Sequence, residues 1–422
     1  MRRQSYPTTF RRLVIVAAAL CVVLGGAAVD AQAPETGRQG RGVGRGIQAP
    51  AYPVLPLGSD LPDFSLPGVD GRRYSPADFR TAKLVAVMFE SNHCPASLAY
   101  QERVHQLYAQ YRSRGLALVL INPNNPRAVR LNELGYTDMN DSFDEMKVRA
   151  EFNKWTLPYL YDGETQTTAI KFGAVATPHI FIFDQQRKLA YQGAIDDSRN
   201  SAGVKQRYAA DAIDALLAGR PVATRETRAL GCSTKWLDRS LAGVADEMKA
   251  IQATPVALAP IDPAGLKALR ANATTNKTMV VSFWRTGNRV AESQFADLQT
   301  TFRMYTLSPR PVDMVTVSLD APERSAAVLA YLRSQYATTT NRQLASTDIA
   351  AMQAAFGLKW NAAQPFTVVI DPQGRVAYQR EGRVDVRAVR TAILSTVPDN
   401  PTWPGIKAYY TDVLARMTAA RR

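Results

Sequence analysis

The sequence predicts an α/β fold with two domains, each built on a mixed central sheet that is flanked by helices. Residues 84–89 form an unbroken apolar run typical of a buried strand, and residues 95–111 carry apolar side chains at helical spacing. A second apolar run, 116–122, follows. Strand, helix and strand in this order indicate a parallel pair joined by a crossover helix. A similar pattern returns near residue 277 and predicts the second domain.

The later elements of the first domain also have local signals. Residues typical of helix N-caps precede some apolar segments, and Gly173 follows a helical segment as a residue that commonly ends a helix. The predicted elements are a helix at 141–154 capped by Asp141 or Ser142, an extended piece at 158–162, a helix at 165–172, a strand at 180–184 and a closing helix at 209–217.

Length and composition limit the class of protein. A chain of 422 residues with 46% apolar residues can form two or three domains with proper cores. The formal net charge is +14, and removing residues 1–31 takes away four arginines and one aspartate and leaves +11. These charges are scattered and form no basic block interleaved with aromatic residues. We therefore expect a basic surface and no nucleic-acid partner.

The N-terminus predicts export. Two arginine pairs within the first twelve residues precede an apolar stretch at 13–29, and small residues around Ala31 offer a cleavage site. An uncleaved membrane anchor remains the alternative, because the apolar stretch approaches the length that spans a bilayer. The expected location is periplasmic or secreted.

The chain divides into six predicted segments. Residues 34–56 are rich in Gly, Arg, Pro and Gln and cannot bury enough apolar surface to order themselves. The predicted segments are a signal peptide at 1–31, a disordered tether at 32–56, the first domain at 57–240, a linker at 241–260, the second domain at 261–400 and a C-terminal tail at 401–422.

Cys94 is the leading candidate for chemistry. It lies between the strand at 84–89 and the following helix, and Pro95 fits the first helical position. Unpaired N–H groups and the helix dipole at such a terminus favour the reactive thiolate. Cleavage of the leader leaves Cys94 and Cys232 in an oxidising compartment, where they could form one disulfide. With three histidines and no Cys-x-x-Cys pair, we expect no metal and no organic cofactor.

The residues around Cys94 resemble two known redox sites. Cys94 and Ser97 resemble the thioredoxin active site, with Ser97 where a dithiol enzyme has its second cysteine. The motif Ser91-x-x-Cys94-Pro95 resembles the peroxiredoxin site, although Val87 stands where that family has a proline. With the distant motif Gly231-Cys232-Ser233-x-Lys235-Trp236, residues 57–236 are similar to a bacterial redoxin family of the alkyl hydroperoxide reductase/thiol-specific antioxidant type.

This resemblance implies a thioredoxin-like fold for the domain. In that fold a Thr–Pro pair before the central antiparallel hairpin carries a cis proline that faces the active-site cysteine. Thr177-Pro178 matches this position, and a trans loop proline is the alternative.

The resemblance also implies a redox cycle. The Cys94 thiolate would attack a peroxide or a disulfide, and Cys232 or an external thiol reductant would complete the cycle. Ser91 would hydrogen-bond a peroxide oxygen, or is simply a turn residue. His93 and His179 would stabilise the thiolate or move a proton, or are packing residues. Glu90, beside the site, is a weaker candidate for taking a proton.

The second domain carries no thiol. Its segment at 283–291 keeps an aromatic pair but has Asn288 and Ala291 where the cysteines would be, and Pro365 matches Pro178. This domain also resembles a thioredoxin fold, and its expected roles are packing, dimerisation or binding a protein partner.

The predicted function is therefore that of an exported thiol-dependent oxidoreductase with a role in redox homeostasis, acting on peroxides or disulfides. The alternative is a binding or scaffold module in which a Cys94–Cys232 disulfide is a permanent crosslink.

Overall fold

The computed structural model describes residues 52–308 and 310–420. The predicted signal peptide and most of the predicted tether lie outside the described residues. Where the description begins, the ring of Tyr52 packs on Trp236 with centroids 4.7 Å apart, and Leu55 N donates to Phe172 O at 3.0 Å. Within the described chain, no helix has both the length and the apolar character needed to cross a membrane.

The first domain is built on a five-stranded mixed sheet. The strands of this domain are β1 (Leu66–Pro67), β2 (Arg73–Tyr74), β3 (Leu84–Phe89), β4 (Leu116–Asn122), β5 (Tyr159–Tyr161), β6 (Ala176–Thr177), β7 (His179–Phe183), β8 (Leu189–Gly193) and β9 (Cys232–Ser233). Its helices are α1 (Pro95–Tyr111), α2 (Phe143–Phe152), α3 (Thr167–Phe172) and α4 (Tyr208–Leu217). The order in the sheet is β5-β4-β3-β7-β8, with β3, β4 and β5 parallel and the β7–β8 hairpin antiparallel.

The central strand β3 explains why its sequence is apolar throughout. Leu84, Ala86 and Met88 face one hydrophobic core, which includes residues of α1 and α4. Val85 and Phe89 face the opposite core, which includes residues of α3 and β7. Both faces of the strand are covered, so no position needs a polar residue.

The second domain repeats this topology. Its strands are β10 (Ala259–Ile261), β11 (Thr278–Trp284), β12 (Val312–Ser318), β13 (Thr340–Leu344), β14 (Phe366–Ile370) and β15 (Val376–Glu381). The helices that accompany them are α6 (Pro263–Ala271), α7 (Arg289–Thr306), α8 (Ser325–Ser334), α9 (Ile349–Phe356), α10 (Val386–Thr396) and α11 (Ile406–Ala419), while α5 (Leu237–Ala253) precedes the domain. The sheet order is β10-β13-β12-β11-β14-β15, which matches the first sheet strand by strand once β10 is set aside. The prediction of two α/β domains is confirmed.

Two predicted connecting segments contain helices. Most of α5 lies in the segment predicted as a linker, 241–260, and α11 lies in the predicted tail, 401–422. Helix α11 has a physical reason to order, because Ile406, Tyr410 and Val413 recur at helical spacing and are buried.

The two domains share a hydrophobic contact. Val129 and Leu134 of the first domain belong to the same buried cluster as Tyr305 and Ile406 of the second. Gly135 permits a close approach there, because a Cβ at this position would lie 2.4 Å from Ser308 Cβ and 3.0 Å from Met304 O.

We predict that Gly135→Ala destabilises this contact. Overpacking of a filled site costs about 1–3 kcal/mol, so the thermal unfolding midpoint of the variant should fall. In the double variant Gly135→Ala/Ser308→Gly the side chain that the new methyl group meets is absent, so part of the loss should be recovered. An unchanged midpoint for Gly135→Ala would contradict the packing of the two domains described above.

Candidate active site

Cys94 occupies the N-cap position of α1, where the buried strand β3 passes into the helix. Its side chain is 0% exposed, and Pro95 is the first helical residue. The backbone N–H of Ser97 in the first turn of the helix hydrogen-bonds the sulfur. The unpaired N–H groups of the helix terminus therefore act on the thiol as the sequence predicts.

Cys232 lies directly against Cys94. The two sulfur atoms are 2.6 Å apart, and both of these cysteines are free thiols. Strand β9, which carries Cys232, pairs antiparallel with β6 so that Cys232 faces Thr177 in the register. The preceding Gly231 lies so close that a Cβ would be 2.2 Å from Thr177 O. Only a residue without a side chain fits there, which explains the Gly–Cys pair in the sequence.

Thr177 and Pro178 form the other wall of the site. The bond between them is cis, as predicted. Thr177 O lies 3.1 Å from Cys94 Sγ and can accept a hydrogen bond from the protonated thiol. Thr177 Oγ1 donates to Ser91 Oγ at 3.3 Å.

Ser91 lies inside the same turn. Its hydroxyl oxygen accepts a hydrogen bond from Cys94 N at 3.2 Å, and its own backbone N donates to Ser97 Oγ at 3.3 Å. The Ser91 side chain is thus hydrogen-bonded to the backbone of Cys94 and not to its sulfur.

His93 forms a buried ion pair with Asp141. His93 Nδ1 contacts Asp141 Oδ2, and both side chains are almost fully buried. The carboxylate also accepts from Asn92 N at 2.7 Å, from Asn122 Nδ2 at 3.1 Å and from Asn124 Nδ2 at 3.0 Å. With its lone pairs satisfied in this way, the carboxylate can remain ionised away from water.

The structure decides between the two predicted caps of α2. The cap is Ser142, whose Oγ accepts from Glu145 N at 3.3 Å. Asp141 instead belongs to the cysteine site. The sequence held one signal for this position of Asp141: two residues of the cap type follow each other, although a helix needs only one.

The two thiols differ in acidity. Burial raises the pKa of Cys94, but the hydrogen bond from Cys232 and the positive charge of His93 outweigh it and lower that pKa to about 6. The neighbouring Cys94 sulfur raises the pKa of Cys232 well above its ordinary value. Burial lowers the pKa of His93, yet the Asp141 carboxylate outweighs it and the pKa is raised. Near neutral pH these shifts favour a Cys94 thiolate and a protonated Cys232, and the raised pKa of His93 favours its imidazolium form.

Glu90 is a further ionisable group of the site. It is buried at the end of β3, and burial raises its pKa to about 8. Within the described chain, its Oε2 has no hydrogen-bond partner. A carboxyl group that keeps its proton near neutral pH and interacts electrostatically with Cys94 can act as a general acid.

His179 and Lys235 have supporting roles. His179 Nε2 is 2.7 Å from Gln192 Oε1, and burial lowers the pKa of this histidine to about 4, so it stays neutral and is no imidazolium partner for the thiolate. Lys235 Nζ donates to Glu133 Oε1 at 2.7 Å, which anchors the segment that follows β9. Across the described ranges, no group of three or more His, Cys, Asp or Glu residues could hold a metal ion.

We predict that His93→Gln raises the pKa of Cys94. In the reduced wild type, alkylation of Cys94 by iodoacetamide should increase with pH around a midpoint of about 6, since only the thiolate reacts. Loss of the imidazolium charge should move this midpoint upward by about one pH unit. His105→Gln on α1 is the matched control and should leave the profile unchanged. An unshifted profile for His93→Gln would rule out the imidazolium as a source of the low pKa.

Comparison with known proteins finds one family model and several solved structures that are similar to part of the chain. Residues 57–192 match the model of the AhpC/TSA family. A hypothetical protein from Sinorhizobium meliloti 1021 is 31% identical over 44% of this chain and 96% of its own, with a TM-score of 0.39. An uncharacterized conserved protein from Geobacillus kaustophilus is 37% identical over 43% of this chain and 92% of its own, with a TM-score of 0.39. A peroxidoxin from Mycobacterium tuberculosis is 18% identical over 38% of this chain and 94% of its own, with a TM-score of 0.28.

No curated protein matches the sequence. The family match covers β3, β4, β5, β7 and all of β8 except its last residue, and it includes Cys94, Thr177 and Pro178. Over residues 57–192 the first domain is therefore similar to the AhpC/TSA family.

Proposed function

We propose that Cys94 and Cys232 are the catalytic dithiol of an exported oxidoreductase that reduces peroxides or disulfides. The observation that carries the proposal is the contact between the two sulfur atoms, 2.6 Å apart, with opposite pKa shifts. One thiol is suited to attack, and the other keeps its proton until it is needed.

With a disulfide substrate, the Cys94 thiolate attacks one sulfur, forms a mixed disulfide and releases the first substrate thiolate. Cys232 then loses its proton and attacks Cys94 Sγ, which forms the Cys94–Cys232 disulfide and releases the second substrate thiolate. With a peroxide ROOH, the thiolate takes one oxygen and releases ROH, and Cys232 converts the sulfenic acid to the same disulfide with loss of water. In both cases an external thiol reductant supplies two electrons to restore the dithiol.

The surrounding residues fit these steps. The pair of His93 and Asp141 stabilises the attacking thiolate. Glu90 is protonated near neutral pH, so it can give its proton to the group that leaves in the first step and, once ionised, can accept the proton that Cys232 loses in the second. Ser91 holds the backbone of Cys94, and its hydroxyl hydrogen is available to an oxygen that approaches the turn.

A second candidate function rests on the burial of the site. Cys94 has no exposed surface, and β9 covers it, which would suit a permanent crosslink in a binding or scaffold module. Export, which depends on the N-terminal sequence, provides oxidising conditions for such a bond. Under this alternative the pair would be oxidised and resistant to mild reductants.

Intact mass after thiol alkylation separates these functions. We expect the mature protein to start with both thiols reduced, or readily reducible by dithiothreitol, and to lose two hydrogens after one equivalent of peroxide. Cys94→Ser should be unreactive, while Cys232→Ser should accumulate a sulfenic acid or a mixed disulfide. A disulfide that persists in mild reductant would instead identify the crosslink. Rates of peroxide consumption and of insulin disulfide reduction, measured on the same sample, then decide the substrate.

Gly231→Ala tests whether β9 presents the resolving thiol. The added methyl group would meet the backbone of Thr177, so β9 should lose its place beside Cys94. We expect formation of the Cys94–Cys232 disulfide to slow by about tenfold or more, because proximity is lost. The matched control is Gly243→Ala on α5, where a Cβ would meet nothing nearer than an arginine side-chain atom at 3.6 Å. Equal rates in the two variants would contradict this role for β9.

A further inference from the structure

A buried ion cluster joins the two domains beside the active site. Asp138 is 1% exposed and accepts from Arg149 Nη2 at 2.8 Å, from Arg387 Nε at 2.9 Å and from the hydroxyl of Tyr410 at 3.1 Å. Arg149 lies on α2 of the first domain, whereas Arg387 and Tyr410 lie on α10 and α11. We call these four residues the Asp138 cluster.

The loop that carries Asp138 also carries Asp141. At its start, Thr137 O accepts from the Tyr305 hydroxyl of α7 at 2.9 Å, and Thr137 Oγ1 donates to Asn92 O at 3.3 Å. Three residues after Asp138, Asp141 contacts His93. Residues 137–141 therefore touch the second domain at one end and the neighbours of Cys94 at the other.

The position of Asp138 depends on its charged partners. A buried, ionised carboxylate is stable only while it is paired, so a shift of the surrounding guanidinium groups would shift Asp138 as well. The charged guanidinium groups lower the pKa of Asp138 despite its burial, which keeps it ionised. Two of its three side-chain partners in the cluster come from the second domain.

Among its described residues, the second domain has a helix cap where the first domain has its thiol. Asn288, at the position that matches Cys94, accepts from Ala291 N at 3.0 Å as a helix cap, and its amide donates to Ala363 O at 2.9 Å. Its polar atoms are already used within the domain. Among the residues of this domain that contact the loop 137–141 are Tyr305, Arg387 and Tyr410.

We propose that the second domain is a positioning domain for the redox site. Arg387 and Tyr410 fix Asp138, and through the loop 137–141 they hold Asp141 on His93 beside the Cys94 sulfur. Both are positioning residues, since neither touches the reacting atoms. The inference rests on the proposed function to the extent that Cys94 must be the reactive thiol.

Different ionisable groups surround Cys94 and Asp138. The ionisable groups that act on Cys94 are Cys232, His93 and Glu90, and Lys235 acts in turn on Cys232 and His93. Besides its cluster, Asp138 is faced by Thr391, whose hydroxyl lies 3.4 Å from Oδ2, and by Arg390, whose Nη1 lies 3.5 Å from its backbone oxygen. A change at Arg387 or Tyr410 alters none of the groups that face the sulfur directly.

The test is the pH profile of Cys94 alkylation in the full-length, reduced protein, followed by the mass of the Cys94 peptide. Tyr410→Phe and Arg387→Met should move the midpoint to higher pH, so that alkylation at about pH 6 slows by about threefold or more. Arg387→Lys should lie between Arg387→Met and the wild type. The matched control is Arg383→Met, at an exposed arginine four residues earlier, which should not change the profile.

Circular dichroism of each variant shows whether its fold is retained, and Tyr410→Phe decides the matter if Arg387→Met does not fold. Unchanged midpoints in folded variants would overturn the positioning role and leave the proposed function intact. A wild-type midpoint near the ordinary cysteine value of about 8.5 would contradict the proposed function, and the inference with it.

Discussion

The buried pair of His93 and Asp141 is the interaction on which the site depends. Without the carboxylate, burial would lower the pKa of the imidazole, and without the imidazolium the pKa of Cys94 would rise. The polar neighbours of Asp141 serve this pair by satisfying a carboxylate that has no access to water. The low pKa of the buried Cys94 thus depends on the positive charge of His93, which in turn depends on the carboxylate of Asp141.

Part of this arrangement was predictable because its signals are local. The apolar run of β3, the proline that follows Cys94 and the Thr177-Pro178 pair each lie within a few residues of the feature that they specify. The Gly231-Cys232 motif was recognisable only by resemblance, since nothing nearby in sequence indicates that it pairs with β6. The fold class followed from the order of strands and helices, which is also local information.

The remainder could not be predicted because the partners are distant in sequence. Asp141 is 48 residues from His93, and Asp138 is more than 240 residues from Arg387. A lone carboxylate in a loop resembles a cap or a solvated residue until the fold brings its partner to it. The hydrogen bond from Tyr410 on α11 was missed for the same reason, because its acceptor, Asp138, lies in the first domain.

The attachment of β9 to the edge of β6 has a kinetic consequence. Cys232 belongs to the same chain as Cys94 and is already in contact with it, so the second step of the proposed cycle would be a unimolecular reaction. Its rate would not depend on the concentration of protein or of any thiol outside it. In a dilute compartment without a thiol buffer, an oxidised Cys94 would still have a thiol within reach, which would limit its irreversible overoxidation.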